Sequence, residues 1–413
     1  MREFTGRSRV CAALAAIIFL TQLTAAVADS TPAVLRVGTS GDYAPFSIRD
    51  ADGGFTGFDI VVARRLAADL GRPIEFTPFR WPDLVRQLEA GAFDMAMSGV
   101  TLRPDRAVQI LYTRPYVVTG AVAVIRKHDR ARFRSLADLD RSGVRIGVNA
   151  GGHLEQVARQ RFSHARLLPV AENASLPGIL QRGNIDVAIS EALEARTWPA
   201  KRFVTIGPFT RDRKAYALAP GAGDLLRDVN EWLVAREADG WLDQQRRQWF
   251  GDRFALTPAQ AGFEALAAAI DLRLQLMPLV VAVKQREHLP IEDPQQEARV
   301  LEHVRAAAAT VRLNPDDVAE LFRVQIEAAK AVERSTPAAS VAADLSLTQL
   351  RTAVAAASDQ IIAEASRCRP WLGPSPARDR LDATLRRGLT ASGVPPSLQK
   401  GLLDATYRVC SNE

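Results

Sequence analysis

The sequence predicts a multidomain protein in which a two-lobed α/β domain is followed by an all-α domain. Two observations carry this prediction. Residues 34–253 alternate strand-like with helix-like segments, whereas beyond residue 253 the strand patterns vanish and alanine-rich helical periodicity begins. A chain of 413 residues is also too long for one compact core. We therefore expect a leader at 1–28, an α/β domain at 29–253 and a helical domain at 254–413.

The first 28 residues have the pattern of a cleaved signal peptide. Arg2, Arg7 and Arg9 precede an apolar run that begins at residue 11, and Ala26-Val27-Ala28 fits the small-x-small cleavage pattern. The alternative is a membrane anchor, but small and polar residues interrupt the run well short of roughly 20 apolar residues. We expect a periplasmic or secreted protein with no membrane attachment after cleavage.

Charge and histidine spacing argue against several partner classes. Removing residues 1–28 takes three Arg and one Glu from a chain of net charge +6, which leaves +4 and no basic block. Nucleic acid is therefore not an expected partner. The five histidines (128, 153, 164, 288 and 303) show no metal-ligand spacing, so we expect neither a metal nor another cofactor.

Two cysteines, Cys368 and Cys410, remain after the leader is removed. Cysteines in an exported chain usually pair, so a disulfide is expected. The alternative is two buried free thiols.

The α/β domain is predicted to contain parallel sheets covered by helices. Extended crossings near 115–125 and 213–219 divide it into two lobes, and ligands of open α/β sheets bind in such a cleft. Strand-like segments lie at 34–38, 74–76, 93–98, 144–148 and 186–189, and helix-like segments at 58–70, 81–90 and 153–162.

The all-α domain is predicted to begin with a long helix at 258–288, bent at Pro278 because proline removes a helical hydrogen bond. Further candidate helices are 294–311, 314–335, 344–366, 376–391 and 395–410.

Four motifs in the α/β domain resemble the class-3 solute-binding proteins: 41–46 (GDYAPF), 57–60 (GFDI), 97–101 (MSGVT) and 103–106 (RPDR). A closer resemblance, to the periplasmic cyclohexadienyl dehydratases, rests on residues 39–43, 81–82, 149–152 and 190–196. It implies the periplasmic-binding-protein fold and conversion of prephenate or arogenate into phenylpyruvate or phenylalanine.

That reaction needs a proton donor and anchors for two carboxylates, because a ring hydroxyl leaves as water while CO₂ departs. Arg106 is the candidate for one carboxylate, helped by backbone N–H groups near Ser98 and Thr101. The alternative for Arg106 is a surface ion pair with Asp105.

Glu194 is the candidate general acid, by resemblance. Glu191, three positions earlier, shares a face with it if both lie on a helical turn, and each carboxylate then discourages ionisation of the other. Glu191 stands where transport proteins hold the ligand's amino group. The alternative is a solvated helix face with Glu194 paired to Arg196 or Arg182.

One turn departs from the dehydratase pattern. The family's Gly-Gly-Thr-Asn is replaced here by Gly151-Gly152-His153-Leu154, and leucine cannot donate a hydrogen bond. His153 either binds a substrate carboxylate in place of the lost asparagine or merely caps the turn. Tyr43, Phe46 and Trp81 either line the cleft or belong to ordinary core, and Lys214 is a weaker candidate for a further cation.

The helical domain resembles the secreted gamma-class chorismate mutases. The resemblance rests on residues 283–293 (VKQREHLPIED), with Arg273, the 325–330 segment, Glu333 and the cysteine pair around it. It implies rearrangement of chorismate to prephenate and, since related helical mutases are dimers, a homodimer through this domain.

This rearrangement requires only that a dicarboxylate is held in its compact shape while charge on the breaking ether oxygen is stabilised. By resemblance, Arg273 holds a carboxylate, Lys284 meets the ether oxygen and protonated Glu333 donates to that oxygen. Arg273 and Lys284 lie eleven positions apart, about three helical turns. The alternative is that both cations are solvated.

Three positions depart from the helical mutases: Gln296 and Gln349 replace arginines, and Ala329 lacks a polar side chain. Arg299 and Arg351 are the candidate substitutes. Glu297 and Asp293 either contact the substrate hydroxyl or face solvent.

The sequence therefore predicts an exported bifunctional enzyme that converts chorismate through prephenate to phenylpyruvate. One alternative is an active mutase fused to a non-catalytic module that binds an amino acid or a dicarboxylate. The other is an active first domain with a helical domain reduced to dimerisation or regulation.

Overall fold

The computed structural model describes residues 33–336, 345–368 and 376–411. The predicted signal peptide lies outside these residues. The described chain forms two α/β lobes, each built on a five-stranded sheet, followed by a helical region, which confirms the predicted fold class.

The first lobe is built on a mixed sheet of order β5-β1-β6-β15-β7. β1 pairs with β5 and β6 in parallel, whereas β15 runs antiparallel to β6 and β7. The prediction of purely parallel sheets was wrong here, because the chain returns from the second lobe to add β15. The strands are β1 (Leu35–Thr39), β5 (Ile74–Pro78), β6 (Met95–Ala96), β7 (Leu111–Tyr112) and β15 (Ala217–Leu218). A small separate sheet is formed by β2 (Asp42–Tyr43), β3 (Ser47–Arg49) and β4 (Phe55–Thr56).

The second lobe has a mixed sheet of order β11-β10-β12-β9-β13. β10 pairs in parallel with β11 and β12, while β9 is antiparallel to both of its neighbours. The strands are β9 (Ala121–Arg126), β10 (Arg145–Asn149), β11 (Arg166–Val170), β12 (Val187–Glu191) and β13 (Phe203–Ile206).

Two crossings join the lobes. Strand β8 (Val117–Thr119) pairs antiparallel with β14 (Asp212–Lys214), at the two places where the sequence predicts extended crossings. This ribbon is the hinge between the lobes.

Helices cover the two sheets. They are α1 (Phe58–Asp69), α2 (Leu84–Glu89), α3 (Pro104–Ala107), α4 (Leu136–Leu139), α5 (His153–Arg161), α6 (Leu176–Gln181), α7 (Ala192–Ala195), α8 (Gly223–Ala238) and α9 (Trp241–Phe250). The predicted helix at 81–90 begins as a 3₁₀ turn, Trp81–Asp83, ahead of α2.

The helical region comprises α10 (Pro258–Gln275), α11 (Met277–Arg286), α12 (Pro294–Thr310), α13 (Pro315–Ser335), α14 (Leu347–Cys368), α15 (Pro376–Ala391) and α16 (Pro396–Ser411). The single bent helix predicted at 258–288 is two helices that meet at Leu276. Pro278 occupies the first turn of α11, where its missing N–H leaves no helical bond unmade.

The segment Pro258–Arg286 is long and apolar enough to cross a membrane by length and composition alone. Most of it is buried inside the protein, as in the core helix of a helical domain. Cys368 of α14 and Cys410 of α16 are joined by a disulfide.

The helical region docks on the α/β domain through buried and partly buried ion pairs. Arg211 pairs with Glu264 and Arg213 with Asp271, both acids lying on α10. On α14, Glu364 lies 3.5 Å from Arg114, and both side chains are buried. All three arginines therefore belong to the α/β domain and all three acids to the helical region.

Two candidate active sites

The first candidate site is the cleft between the lobes. Its cavity has a volume of about 20 Å³, which leaves room for one or two water molecules. A substrate of prephenate size enters only when the lobes part. The cavity is lined by Tyr43, Trp81, Gly99, Thr101, Arg106, Asn149, Gly152, His153, Leu154, Asn173 and Lys214.

Arg106 lies on α3 in the first lobe and reaches across the cleft. Its Nη2 donates to the carbonyl of Gly151 in the second lobe, 3.3 Å away. Burial lowers the pKa of its guanidinium, although the group stays charged. The alternative ion pair with Asp105 is wrong, because Asp105 pairs with Arg103 instead.

The turn before Arg106 offers fewer free donors than the sequence predicts. The backbone N–H of Gly99 donates to Asp59 Oδ2 at 2.5 Å, and the Ser98 hydroxyl bonds Ser40 within the same lobe. Ser98 is fully buried and does not line the cavity, so the structure does not bring it to the cleft. Burial raises the pKa of Asp59 to about 7.

Lys214 is central to the cleft, although its sequence signal was weak. Its Nζ donates to Thr101 Oγ1 at 2.8 Å and to the Tyr43 hydroxyl at 3.4 Å. It lies 5.4 Å from the centroid of the Tyr43 ring and 5.7 Å from that of Phe46. A buried cation held against aromatic faces is available to an anionic ligand.

The aromatic side chains divide between wall and core. Tyr43 and Trp81 line the cleft and meet edge to face with ring centroids 5.5 Å apart. The Trp81 indole N–H donates to Asp42 Oδ1 at 3.2 Å. Phe46 is fully buried in the core of the first lobe.

Glu194 lies on α7 and is 3% exposed. Its carboxyl accepts from the Ser190 hydroxyl at 2.6 Å and from the side-chain amide of Asn173. Burial raises its pKa to about 8 despite these two bonds, so the group is largely protonated at neutral pH. Pairing with Arg196 is wrong, because Arg196 donates to the Phe250 carbonyl instead.

Glu191 does not share a helical face with Glu194. It is the last residue of β12 and caps α7, accepting from the backbone N–H of Leu193 at 3.1 Å. Its other oxygen accepts from Thr119 and from the N–H of Gly120, at the start of the second lobe. Burial raises the pKa of this carboxyl as well. Glu191 thus ties helix α7 to the hinge.

The turn that departs from the dehydratase pattern brings His153 to Asp212. His153 Nε2 lies 3.1 Å from Asp212 Oδ1. Burial opposes ionisation of Asp212, yet its pKa is lowered because His153 and Lys214 favour the charged form. Leu154 lines the cleft while packing into the core of the second lobe.

Sequence reasoning missed Asn173 and Asp212 as site residues. The Asn173 amide donates both to Glu194 and to the Asp42 carbonyl, 3.2 Å away in the first lobe. Neither residue lies in a recognisable motif, so their roles emerge only from the closed arrangement of the lobes.

The second candidate site is a cavity of about 230 Å³ among α10 to α14. It brings together residues of the helical region for which a contact with substrate is predicted: Arg273, Lys284, Glu297, Arg299, Glu333 and Arg351. Asp293, Gln296 and Ala329 also line it, whereas Gln349 instead bonds Ser346 at the start of α14.

Lys284 and Glu333 form the polar pair of this cavity. Lys284 Nζ donates to the Ile291 carbonyl at 2.6 Å and to Glu333 Oε2 at 3.0 Å. Burial raises the pKa of Glu333, while Lys284 acts in the opposite direction.

Arg273 is a buried cation, 3% exposed, so the solvated alternative is wrong for it. Its Nε donates to the Ser358 hydroxyl at 3.3 Å, and its Nη1 has no hydrogen-bond partner within the described chain. Burial lowers its pKa to about 10. An unpaired guanidinium nitrogen at the wall of a cavity suits a ligand carboxylate.

The remaining charged residues form the rim. Arg351 Nη2 bonds Asp293 Oδ2 at 3.0 Å, and Asp293 also caps α12 through the N–H of Gln296. Arg299 is exposed, whereas Glu297 lies 3.5 Å from Lys330. Lys330 and Ser358 line the cavity but were not singled out by sequence reasoning.

Comparison with known proteins assigns both parts of the chain. Residues 35–252 match the bacterial extracellular solute-binding proteins, family 3, and residues 264–334 match chorismate mutase type II. Cyclohexadienyl dehydratase of Pseudomonas aeruginosa is 35% identical over 54% of this chain and 84% of its own length. The L-cystine-binding protein TcyJ of Escherichia coli is 28% identical over 52% of this chain and 82% of its own.

Solved structures agree with these matches. The ancestral amino acid-binding protein AncCDT-1, described as a precursor of cyclohexadienyl dehydratase, is 33% identical with a TM-score of 0.51, covering 52% of this chain and 95% of its own. A lysine-bound transporter component from Wolinella succinogenes is 26% identical with a TM-score of 0.50, over the same shares. The chain therefore belongs to the family 3 bacterial extracellular solute-binding proteins and carries a chorismate mutase type II domain behind that fold.

Proposed function

We propose that this chain is an exported bifunctional enzyme that turns chorismate into prephenate and then prephenate or arogenate into phenylpyruvate or phenylalanine. The observation that carries the dehydratase half is a buried carboxyl, Glu194, which has a pKa of about 8 and is hydrogen-bonded to Asn173 in the wall of the cleft. The mutase half rests on the cavity that gathers Arg273, Lys284 and Glu333.

In the dehydration, Glu194 donates its proton to the ring hydroxyl, which leaves as water. The ring carboxylate departs as CO₂, and the electrons of the broken carbon–carbon bond complete the aromatic ring. Arg106 and Lys214 hold the two carboxylates while the lobes exclude solvent. Ser190 and Asn173 orient the acid through their hydrogen bonds.

In the rearrangement, one carbon–oxygen bond breaks as one carbon–carbon bond forms, with no proton or electron exchanged with the protein. Arg273 holds a carboxylate of the compact substrate. Lys284 and protonated Glu333 stabilise the charge that develops on the ether oxygen. The exposed Arg299, at the rim, is placed to meet the second carboxylate.

A second candidate function is a binding module fused to an active mutase. Leu154 favours it, since the hydrogen-bond donor of the dehydratase pattern is absent from the cleft. The cystine-binding and lysine-bound relatives point the same way. The raised pKa of Glu194 favours the dehydratase, because a module that only holds a ligand has no use for a protonated acid.

The deciding experiment gives purified mature protein chorismate, or separately prephenate, and identifies the products. Wild type is expected to form phenylpyruvate from both. Glu194→Gln should slow dehydration by about 10²–10⁴-fold while prephenate still accumulates from chorismate. Glu172→Gln, at an exposed position of the same lobe, is the matched control and should behave as wild type. Prephenate accumulating without onward conversion by wild type would establish the binding module instead.

A further inference from the structure

The hinge strand β14 lies between the cleft and the helical region. Its outer two residues contact the cleft: Asp212 meets His153, and Lys214 donates to Thr101. Since side chains alternate along a strand, Arg213 between them points the other way. Its Nη1 donates to Asp271 Oδ2 of α10 at 2.5 Å.

The backbone of β14 also bonds the segment 100–102, which precedes Arg106. The Arg213 carbonyl accepts from the N–H of Leu102 at 2.9 Å, and the N–H of Ala215 donates to the Val100 carbonyl at 3.0 Å. The strand held by Asp271 therefore fixes residues 100–102, four positions ahead of Arg106.

Helix α15 supports the Asp271 carboxylate from behind. A Cβ built on Gly388 would collide with both carboxylate oxygens of Asp271. Glycine inside a helix is otherwise less favourable than alanine. The close approach of Asp271 to the backbone of α15 therefore explains why a glycine occupies position 388.

The other crossing is held in the same way. Arg114, three residues before β8, lies 3.5 Å from Glu364 of α14, and its backbone N–H donates to Asn230. Helix α10 thus reaches β14, and α14 reaches the segment that leads into β8. The same two helices carry Arg273 and its partner Ser358.

We propose that Asp271 of the helical domain is a positioning residue for the cleft: through Arg213 it fixes β14, and with it the position of Lys214 in the cleft and of Asp212 beside His153. The helical domain then positions residues of the first active site and also contains the second. The kinetic consequence rests on the proposed dehydratase function, whereas the effect on the hinge does not.

The hinge is tested by amide hydrogen exchange on the full mature chain. Asp271→Asn should accelerate exchange in β8 and β14 by at least about tenfold, because β14 loses its anchor. The matched control is Glu320→Gln, which removes an exposed ion pair with Arg323 on α13 of the same domain and should leave β14 protected. Equal acceleration in both variants, or none in Asp271→Asn, would overturn the proposal.

Kinetics supply the second readout. For prephenate, Asp271→Asn should lower kcat by about tenfold and raise KM, because Lys214, which holds a substrate carboxylate, is displaced. Chorismate rearrangement should be unchanged. A parallel loss of both activities would mark general destabilisation and contradict a positioning role.

If Asp271→Asn folds poorly, Gly388→Ala is an independent way to release β14 from Asp271. The added methyl displaces the carboxylate without removing its charge, so it should reproduce both the faster exchange in β14 and the loss of kcat. A normal hinge in Gly388→Ala would count against the proposal. Absence of dehydration in wild type would refute the proposed function, yet the exchange results would still decide the role of Asp271.

Discussion

At the scale of single residues, Glu194 shows how burial, aided by the nearby carboxylates of Glu191 and Asp42, raises the pKa of a carboxyl group. Within the part of the chain that the structure describes, no cation pairs with its carboxyl, which bonds the neutral side chains of Ser190 and Asn173. Removal from water is therefore the larger effect, and the protonated form prevails up to about pH 8.

This protonation predicts a pH dependence. Dehydration should decline as pH rises through about 8, the pKa of Glu194, because the proton donor is lost.

The folded state also binds a proton that the unfolded chain releases near 4.5, so the contribution of Glu194 to stability is full below 4.5 and is lost as pH rises through 8. Glu194→Gln should flatten this part of the stability profile, as measured by chemical denaturation across that range. An unchanged slope would place the titration on another group.

The sequence supplied the identities of Arg106, Glu194, Arg273, Lys284 and Glu333, because each lies in a recognisable motif. It did not supply their partners. Asn173 and Ser358, which bond Glu194 and Arg273, come from segments distant in sequence, and only the folded chain brings them to these side chains. The prediction that Glu191 and Glu194 share a helical face was wrong because the strand runs two residues further than expected, to Glu191 itself.

At the scale of elements, helix boundaries were well predicted where caps are strong. Asp293 and Asn314 cap α12 and α13 through side-chain bonds, and each helix then starts with a proline, so the sequence marks both starts. The break at Leu276 was missed because apolar periodicity continues across it, and periodicity reports the buried face but not the continuity of the axis.

The disulfide between α14 and α16 should stabilise the helical domain selectively. It closes a separation of 42 residues, worth about 4 kcal/mol on the loop-entropy model. Cys368→Ser with Cys410→Ser should therefore lower the free energy of unfolding of the helical domain while leaving the isolated prephenate reaction near wild type at low temperature. Differential scanning calorimetry measures both transitions, and an unshifted helical transition would contradict the expectation.

At the scale of the whole molecule, charge is divided across the domain interface. Arg114, Arg211 and Arg213 meet Glu364, Glu264 and Asp271, with every cation on one side. Either half alone would expose ionised groups beside an alanine-rich apolar face. The two-domain order was predictable from the change in composition, but this interface was not, because its ion pairs join residues at least 51 positions apart.

This division predicts reassociation in trans. Separately produced residues 29–256 and 257–413 should form a one-to-one complex, because each face buries what the other leaves unpaired. Analytical ultracentrifugation measures the complex, and Asp271→Asn in the helical half should weaken it. Two halves that sediment independently at all concentrations would show that the interface depends on the covalent link.

The small volume of the closed cleft has a kinetic consequence. With about 20 Å³ between the lobes, the closed form admits no substrate and releases no product, so every turnover includes one opening and one closing. The hydrogen bond from Arg106 to Gly151 is broken each time the lobes part. The apparent affinity for substrate is then the affinity of the open form multiplied by the fraction of molecules that are open. The rate of opening sets an upper limit on kcat.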